Sequence, residues 1–256
     1  MQFYVAAVTD IGIYKQVNQD SLNVMVADTK IGQVAMMVMC DGIGGLSLGE
    51  VASSQVVLLF KQWFVDTLPS IIDEGITDIK LECSWKNLIN NADNSLKEYT
   101  RLKQVKLGTT LTAMLLIAGR YHIVQIGDSR AYEITHEIRQ LTEDQTVAEQ
   151  EIRLGHITEE QARNDSRKHI LLQCIGAGER LEPQYIHGDI LNEASYIVCT
   201  DGFYNRLEAY EIQEKCSLQP GMNREKKENK LHEIMESCKS RGERDNISVI
   251  WLHTTA

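Results

Sequence analysis

Five aspartates stand at the rims of apolar runs. Val34–Cys40 leads into Asp41-Gly42, Tyr121–Ile126 into Gly127-Asp128-Ser129, and Tyr196–Thr200 into Asp201-Gly202. Asp20 opens the run Ser21–Ala27, and Asp245-Asn246 opens Ile247–Leu252. Carboxylates that meet at one sheet edge repel one another unless cations lie between them. Oxygen-only ligands select hard ions such as Mg²⁺, Mn²⁺ or Ca²⁺. The seven histidines form no His-x-His, His-Glu-x-x-His or Cys/His grouping, so nothing points to zinc. Two ions sharing one aspartate lower the pKa of a bound water and neutralise charge on a phosphoryl group under in-line attack. Asp41 suits the shared position, because Gly42 lets a backbone carbonyl approach an ion and Gly44 and Gly45 keep the surface open. Taken singly, each of these sites also reads as an ordinary turn, since Asp favours turns. Spacing alone leaves both readings open.

The elements that must position these residues follow from periodicity. Val5–Thr9, Ser21–Ala27 and Val34–Cys40 read as strands. Ser47 with Glu50 forms a capping box that starts a helix, whose apolar positions Ala52, Val56, Leu59, Phe60 and Trp63 keep helical spacing. Residues 69–83 carry no clear pattern, and Ser84–Arg101 reads as a second helix. Leu111–Ile117 and Tyr121–Ile126 flank the turn Ala118-Gly119-Arg120 and predict a hairpin. Ala131–Ile134 and Gln140-Leu141 add short strands. Residues 143–168 are polar and helical, with Thr158 and Gln161 as a second capping box. Tyr185–Ile190, Tyr196–Thr200 and Ile247–Leu252 return to strand, while Glu208–Cys216 and Arg224–Ser240 are helical. Short connections between neighbouring strands predict antiparallel sheets in an α+β fold. In such a sheet some strands end at the edge where others start. Asp41, Asp128 and Asp201 follow their strands and Asp20 and Asp245 precede theirs, so all five can face one cleft.

Composition bounds the function. The 256 residues show no linker and suit one domain, and 43% are apolar, enough for a core. A formal net charge of −10 disfavours nucleic acid or an anionic membrane as partner. There is no basic start followed by a long apolar run, and no stretch of about 18 apolar residues to span a membrane. The six cysteines include no Cys-x-x-Cys pair; Cys40 and Cys199 lie in strand-like runs as reduced thiols, which suits the cytoplasm.

Thr9-Asp10-Ile11-Gly12-Ile13-Tyr14-Lys15-Gln16-Val17-Asn18-Gln19-Asp20 resembles the opening motif of the metal-dependent Ser/Thr protein phosphatases, the PPM family or type 2C, in bacterial form. Asp41-Gly42-Ile43-Gly44-Gly45, Gly49-Glu50 and Ala52-Ser53 are similar to its second motif. Gly108-Thr109-Thr110, Gly127-Asp128-Ser129-Arg130, Thr200-Asp201-Gly202 and Arg244-Asp245-Asn246-Ile247-Ser248 follow in family order. Each motif is weak alone, but the ordered set spans nearly the whole chain.

The resemblance implies a four-layer α-β-β-α sandwich of two antiparallel sheets flanked by helices, as a single phosphatase domain over 1–256. It implies a dinuclear Mn²⁺ or Mg²⁺ centre bridged by Asp41, with the Gly42 carbonyl as a further ligand. Asp201 and Asp245 bind one ion, and Asp20 sits at the other, directly or through water. Asp128 with Asp201 matches a third, weaker site. A hydroxide held on the metals then attacks phosphoserine or phosphothreonine directly, in proteins phosphorylated by a Ser/Thr kinase. The resemblance makes residues 143–170 the variable flap, where Arg167, Lys168 and His169 either touch substrate or form a solvated basic cluster. The protein is expected to act as a monomer in the cytoplasm.

Three departures matter. Lys15 replaces the family's usual phosphate-gripping arginine, trading a planar fork for a point charge, and predicts looser phosphate binding. Gln19 replaces glutamate. Ile43 stands where eukaryotic members carry histidine, leaving the leaving-group proton donor unassigned. Two other chemistries compete. Cys174–Arg180 has the bare C-x5-R spacing of cysteine phosphatases, but Gln173, Ala177 and Leu181 depart from that loop. Gly42–Gly45 is no dinucleotide loop, because Ser47 stands at the last glycine position. A catalytically silent binding module is the alternative from another class; aspartate at every ligand position favours an enzyme.

Overall fold

The strand runs of this chain are apolar on both faces, and that dictates how they stack. In β3 (Gly32–Asp41), Val34, Met36, Val38 and Cys40 turn to one side and Ala35, Met37 and Met39 to the other; all seven are buried. A period-2 strand with two apolar faces must lie between two other layers. The computed structural model, which describes residues 1–43, 48–163, 165–178, 180–217 and 222–255, shows those layers.

One sheet has the order β1 (Gln2–Asp10), β10 (Ile247–Thr255), β9 (Ser195–Cys199), β6 (Arg130–Ile134) and β7 (Ile138–Gln140). The other runs β2 (Asp20–Thr29), β3, β4 (Leu111–Ile117), β5 (Arg120–Ile126) and β8 (Gln184–Asp189). Every strand pairing is antiparallel. Met37, Met114, Tyr196 and Ile250 join in an apolar cluster between the sheets. Helices α1 (Gly49–Asp66), α2 (Leu68–Asp73) and α3 (Asp78–Lys103) cover the β3-containing sheet through Phe60, Trp63, Trp85 and Leu96. Helices α6 (Asp201–Tyr204), α7 (Ala209–Cys216) and α8 (Arg224–Ser240) cover the other through Phe203, Ile212, Leu231 and Met235. Burying each of the largest of these side chains contributes roughly 1.5–3 kcal/mol. The result is the expected four-layer α-β-β-α sandwich.

Some element boundaries differ from the periodic reading. The patternless stretch 69–83 holds α2, with Pro69 in its first turn, and the start of α3, where Thr77 Oγ1 accepts from the Lys80 amide at 3.2 Å. Ser47 lies outside the described residues; α1 starts after Leu48, which has φ 65° and makes no side-chain cap bond. Thr158 and Gln161 do form the reciprocal capping box, at 2.8 and 3.2 Å. It opens α5 (Glu159–Arg163), which with α4 (Val147–Arg153) makes up the helical part of 143–170. No helix among the described residues is long and apolar enough to cross a membrane.

Candidate metal centre

Antiparallel pairing carries the rim aspartates to one edge. Asp20, the first residue of β2, stands opposite Asp41, the last residue of β3. Asp128 follows β5, Asp201 is the first residue of α6 directly after β9, and Asp245 precedes β10. Glycines let the backbones close up here. A Cβ on Gly42 would lie 2.5 Å from the Gly49 carbonyl and 2.6 Å from the Gln19 oxygen, so only glycine fits between β2 and α1. A Cβ on Gly202 would lie 2.0 Å from the Asn246 carbonyl oxygen and 3.6 Å from the Asp245 Cβ. That contact is what brings Asp201 beside Asp245. The Asp41 strand end is pinned by Thr110, whose Oγ1 accepts from the Asp41 amide at 2.9 Å.

Electrostatics shows that the five carboxylates share one field. Burial pushes the Asp41 carboxyl well up, and the charges of Asp20, Asp201, Asp128 and Asp245 push it further. Asp20 is raised to about 7, chiefly by burial; hydroxyls of Ser248 and Thr200 oppose this, and Asp201 and Asp245 add to it. Thr200 Oγ1 donates to Asp20 Oδ2 at 3.0 Å. Asp128 is also raised, by burial and then by Asp201 and Asp144.

Lys15 lies inside this field. Its Nζ is 2.7 Å from Asp245 Oδ1. Burial lowers its pKa, but Asp245, Asp41 and Asp201 more than offset this and raise it. Asp201 Oδ2 accepts from Asn205 Nδ2 at 3.1 Å and lies 3.6 Å from His169 Nδ1. Asp201 Oδ1 is buried with no hydrogen-bond partner. Such an oxygen is costly unless something cationic meets it.

Among the described residues, no three carboxylates, imidazoles or thiols are gathered closely enough to form a finished ligand set. Separate donors hold them: Lys15 on Asp245, Thr200 on Asp20 and Asn205 on Asp201. The residues nonetheless fit hard divalent cations. The donors are oxygens, the neighbouring carboxylates raise Asp41, Asp20 and Asp128, and one buried oxygen has no partner.

A cavity of about 300 Å³ opens over the cluster, lined among others by Asp41, Asp128, Asp201, Asp245, Lys168 and His169. Asp20, paired opposite Asp41, does not line it. Of the basic trio in 143–170, Lys168 and His169 thus reach the cavity, whereas Arg167 is paired with Asp165 at 2.8 Å. Ile43 lines the wall and offers no proton. A larger cavity of about 520 Å³, beside Asp144 and Glu149, contains none of the five aspartates and is not this site.

Sequence reasoning gave no role to Asn246 or Thr200. Both sit beside the aspartates in the motifs, and both are buried polar residues. The Cys174–Arg180 spacing carries no thiolate chemistry. Burial pushes the Cys174 thiol up to about 11, and the Gly176 amide donates to Asp93 at 2.9 Å instead of facing an anion. Glu179 of that stretch lies outside the described residues, as do Gly44 and Gly45.

Comparison with known proteins agrees with this architecture. The protein phosphatase 2C family model matches residues 13–236. The chain is 28% identical to the serine/threonine phosphatase stp of Listeria monocytogenes over 245 residues, covering 94% of this chain and 92% of that protein. The Streptococcus agalactiae serine/threonine phosphatase superposes with a TM-score of 0.86 at 24% identity, covering 99% of this chain and 100% of that one. The catalytic domain of the phosphatase PstP, solved with two manganese ions, superposes with a TM-score of 0.76 at 24% identity over 99% of both chains. With a family match across most of its length and a fold shared with these phosphatases, this chain belongs to the protein phosphatase 2C family.

Proposed function

We propose that this protein hydrolyses phosphoserine and phosphothreonine in proteins, using two Mn²⁺ or Mg²⁺ ions at the aspartate cluster. The observation that carries the reading is the convergence of Asp41, Asp128, Asp201 and Asp245 in the wall of one cavity, with Asp20 paired opposite Asp41 at the same sheet edge. The phosphatase names of its relatives and the two manganese ions in a similar structure support it. When bound, such ions lower the pKa of a water they hold and neutralise charge growing on the phosphoryl oxygens.

The chain's own residues take the remaining roles. Asp41 would be the shared ligand, with the Gly42 carbonyl beside it. Asp201 and Asp245 would serve one ion and Asp20 the other, while Asp128 with Asp201 would offer a third position. Lys15 leaves Asp245 for a phosphate oxygen, which it holds as a point charge. Residues 143–170 act as a flap whose Lys168 and His169 overhang the cavity. We place the enzyme in the cytoplasm as a monomer acting on the products of a Ser/Thr kinase, in keeping with its free cysteines and net charge of −10.

The test is turnover of a phosphopeptide with millimolar Mn²⁺, then with EDTA, then with Mn²⁺ restored. Activity, loss and recovery are expected. Turnover that survives EDTA sinks the metal reading, and no turnover of either a phosphopeptide or an aryl phosphate sinks the function.

A further inference from the structure

The loop joining β1 to β2, residues 11–19, exposes large apolar side chains beside the cavity. Ile13, Tyr14 and Val17 are each at least 50% exposed, and Ile11 is 39% exposed. Single exposed apolar residues need no explanation, but neighbouring ones mark contact surfaces. This loop is held at both ends. Asn246 Nδ2 donates to the carbonyls of Ile11 at 2.9 Å and Val17 at 3.2 Å, and its Oδ1 accepts from the Gln19 amide at 2.9 Å. Gly12, at φ 76°, packs so closely that a Cβ would lie 2.6 Å from the Asp245 carbonyl oxygen. One buried side chain and one glycine thus fasten the loop to the start of β10. A surface formed in advance loses little conformational freedom on binding.

Two contacts make this surface continuous with the cavity. Lys15 Nζ sits 2.7 Å from Asp245 Oδ1, and the Arg244 guanidinium lies 5.6 Å from the Tyr14 ring centroid. Arg244 and Asp245 both line the cavity. The loop therefore sets its apolar side chains around Lys15, and Arg244 at the cavity rim meets them over Tyr14. That combination complements a phosphorylated segment, with its negative group toward Lys15 and Arg244 and an apolar side chain on Ile13, Tyr14 and Val17.

We infer that this loop is a docking surface for the phosphoprotein substrate, selecting segments with a large apolar side chain close to the phosphorylated residue. The inference rests on the phosphatase function proposed above. An extended chain advances about 3.3 Å per residue, so a side chain two or three positions from the phosphorylated residue lies roughly 7–10 Å along the chain from it, outside the cavity that takes the phosphate.

The experiment compares wild type with Ile13→Ser/Val17→Ser, and with the triple variant that adds Tyr14→Ser. The double variant leaves the Arg244–Tyr14 contact in place. The substrates are two phosphopeptides that differ only in Leu or Glu two residues from phosphoserine, plus an aryl phosphate, which has a phosphate for Lys15 but no neighbouring side chain for Ile13, Tyr14 and Val17. Wild type is expected to favour the Leu peptide at least fivefold in kcat/KM. Both variants should lose that preference through KM, with the ratio to aryl phosphate turnover falling by the same factor. A preference that persists in the variants overturns the inference. So does an equal fall on all three substrates, which would make the loop a mere support, or a wild-type dimer in sedimentation that the variants split. Anisotropy titration of a labelled Leu peptide carrying a phosphonate analogue separates this inference from the function it rests on. Binding at least fivefold weaker in the variants upholds the docking surface even if neither peptide turns over, and equal binding removes it.

Discussion

Charge governs the centre at the scale of single residues. Asp41 feels four other carboxylates, and Lys15 pairs directly with one of them, Asp245. Asp41→Asn should therefore cut phosphopeptide turnover at least about 100-fold, since even outer-shell partners of a metal are worth 10–100-fold. The same change removes like-charge repulsion, so melting without added metal should occur at or above the wild-type temperature. Undiminished turnover would take Asp41 out of the shared position. At Lys15, Ala should raise the KM for phosphopeptide while Arg retains it, and isothermal titration should show tighter Mn²⁺ binding to Lys15→Ala because Asp245 loses a competing cation. Equal KM values in all three proteins contradict the phosphate role. The pH dependence follows from Asp20, which holds its proton up to about 7. Metal binding needs the carboxylate, so protons compete with it below that value. The rise in melting temperature on adding Mn²⁺ should grow from pH 5 to pH 8, and a shift independent of pH would count against Asp20 as a ligand.

Close backbone contact at the scale of elements decides whether the carboxylates meet. Gly202 lets the start of α6 touch the start of β10, with room for no side chain. Gly202→Ala should cost at least about 1–3 kcal/mol through overpacking and should weaken Mn²⁺ binding along with stability. Wild-type melting in that variant would show that the two elements can part without cost. The strands and their alternation were legible in the sequence because both faces of β3 are buried and its apolar run is unbroken. The first turns of α3 were not legible. Ile79 is exposed there while Leu81 is buried, which blurs the apolar stripe. At the start of α1 the residue before Gly49 is Leu48 in the left-handed region, which has no capping side chain to read, and Ser47 lies outside the described residues.

The stability of the whole molecule carries a pH signature far from the centre. Lys227 of α8 is almost fully buried, donates to the Tyr4 carbonyl at 2.8 Å and lies 4.9 Å from the Trp251 ring centroid. Burial pushes it down to about 7, with Cys216 opposing slightly. Unfolded, the same lysine keeps its proton up to about 10.4. Between those values the unfolded chain holds more protons, so raising pH through this window stabilises the fold. Below about 7 both states are charged and the burial cost stands in full. Denaturant titrations of wild type and Lys227→Met should show a stability difference that changes in the wild type's favour from pH 7 to pH 10. A constant difference would mean that Lys227 titrates normally. Nearby His253, pushed down to about 4 by burial and Lys227, adds a slope of the same sign between about 4 and 6.5.

Carboxylates at strand rims and runs with two apolar faces are legible along the chain, and they imply a layered antiparallel fold with an acidic edge. Those properties are local, written in period-2 alternation and in the residue that follows each run. Which donor meets which carboxylate emerges from folding alone. Gln19 and Asn246 are 227 residues apart, yet their contact anchors the loop that carries Lys15 onto Asp245. Thr200 reaches Asp20 across 180 residues, and Asp201 is left with one buried oxygen unpaired. Such pairings depend on how two sheets stack and how closely glycines let backbones approach, and no local pattern encodes that distance.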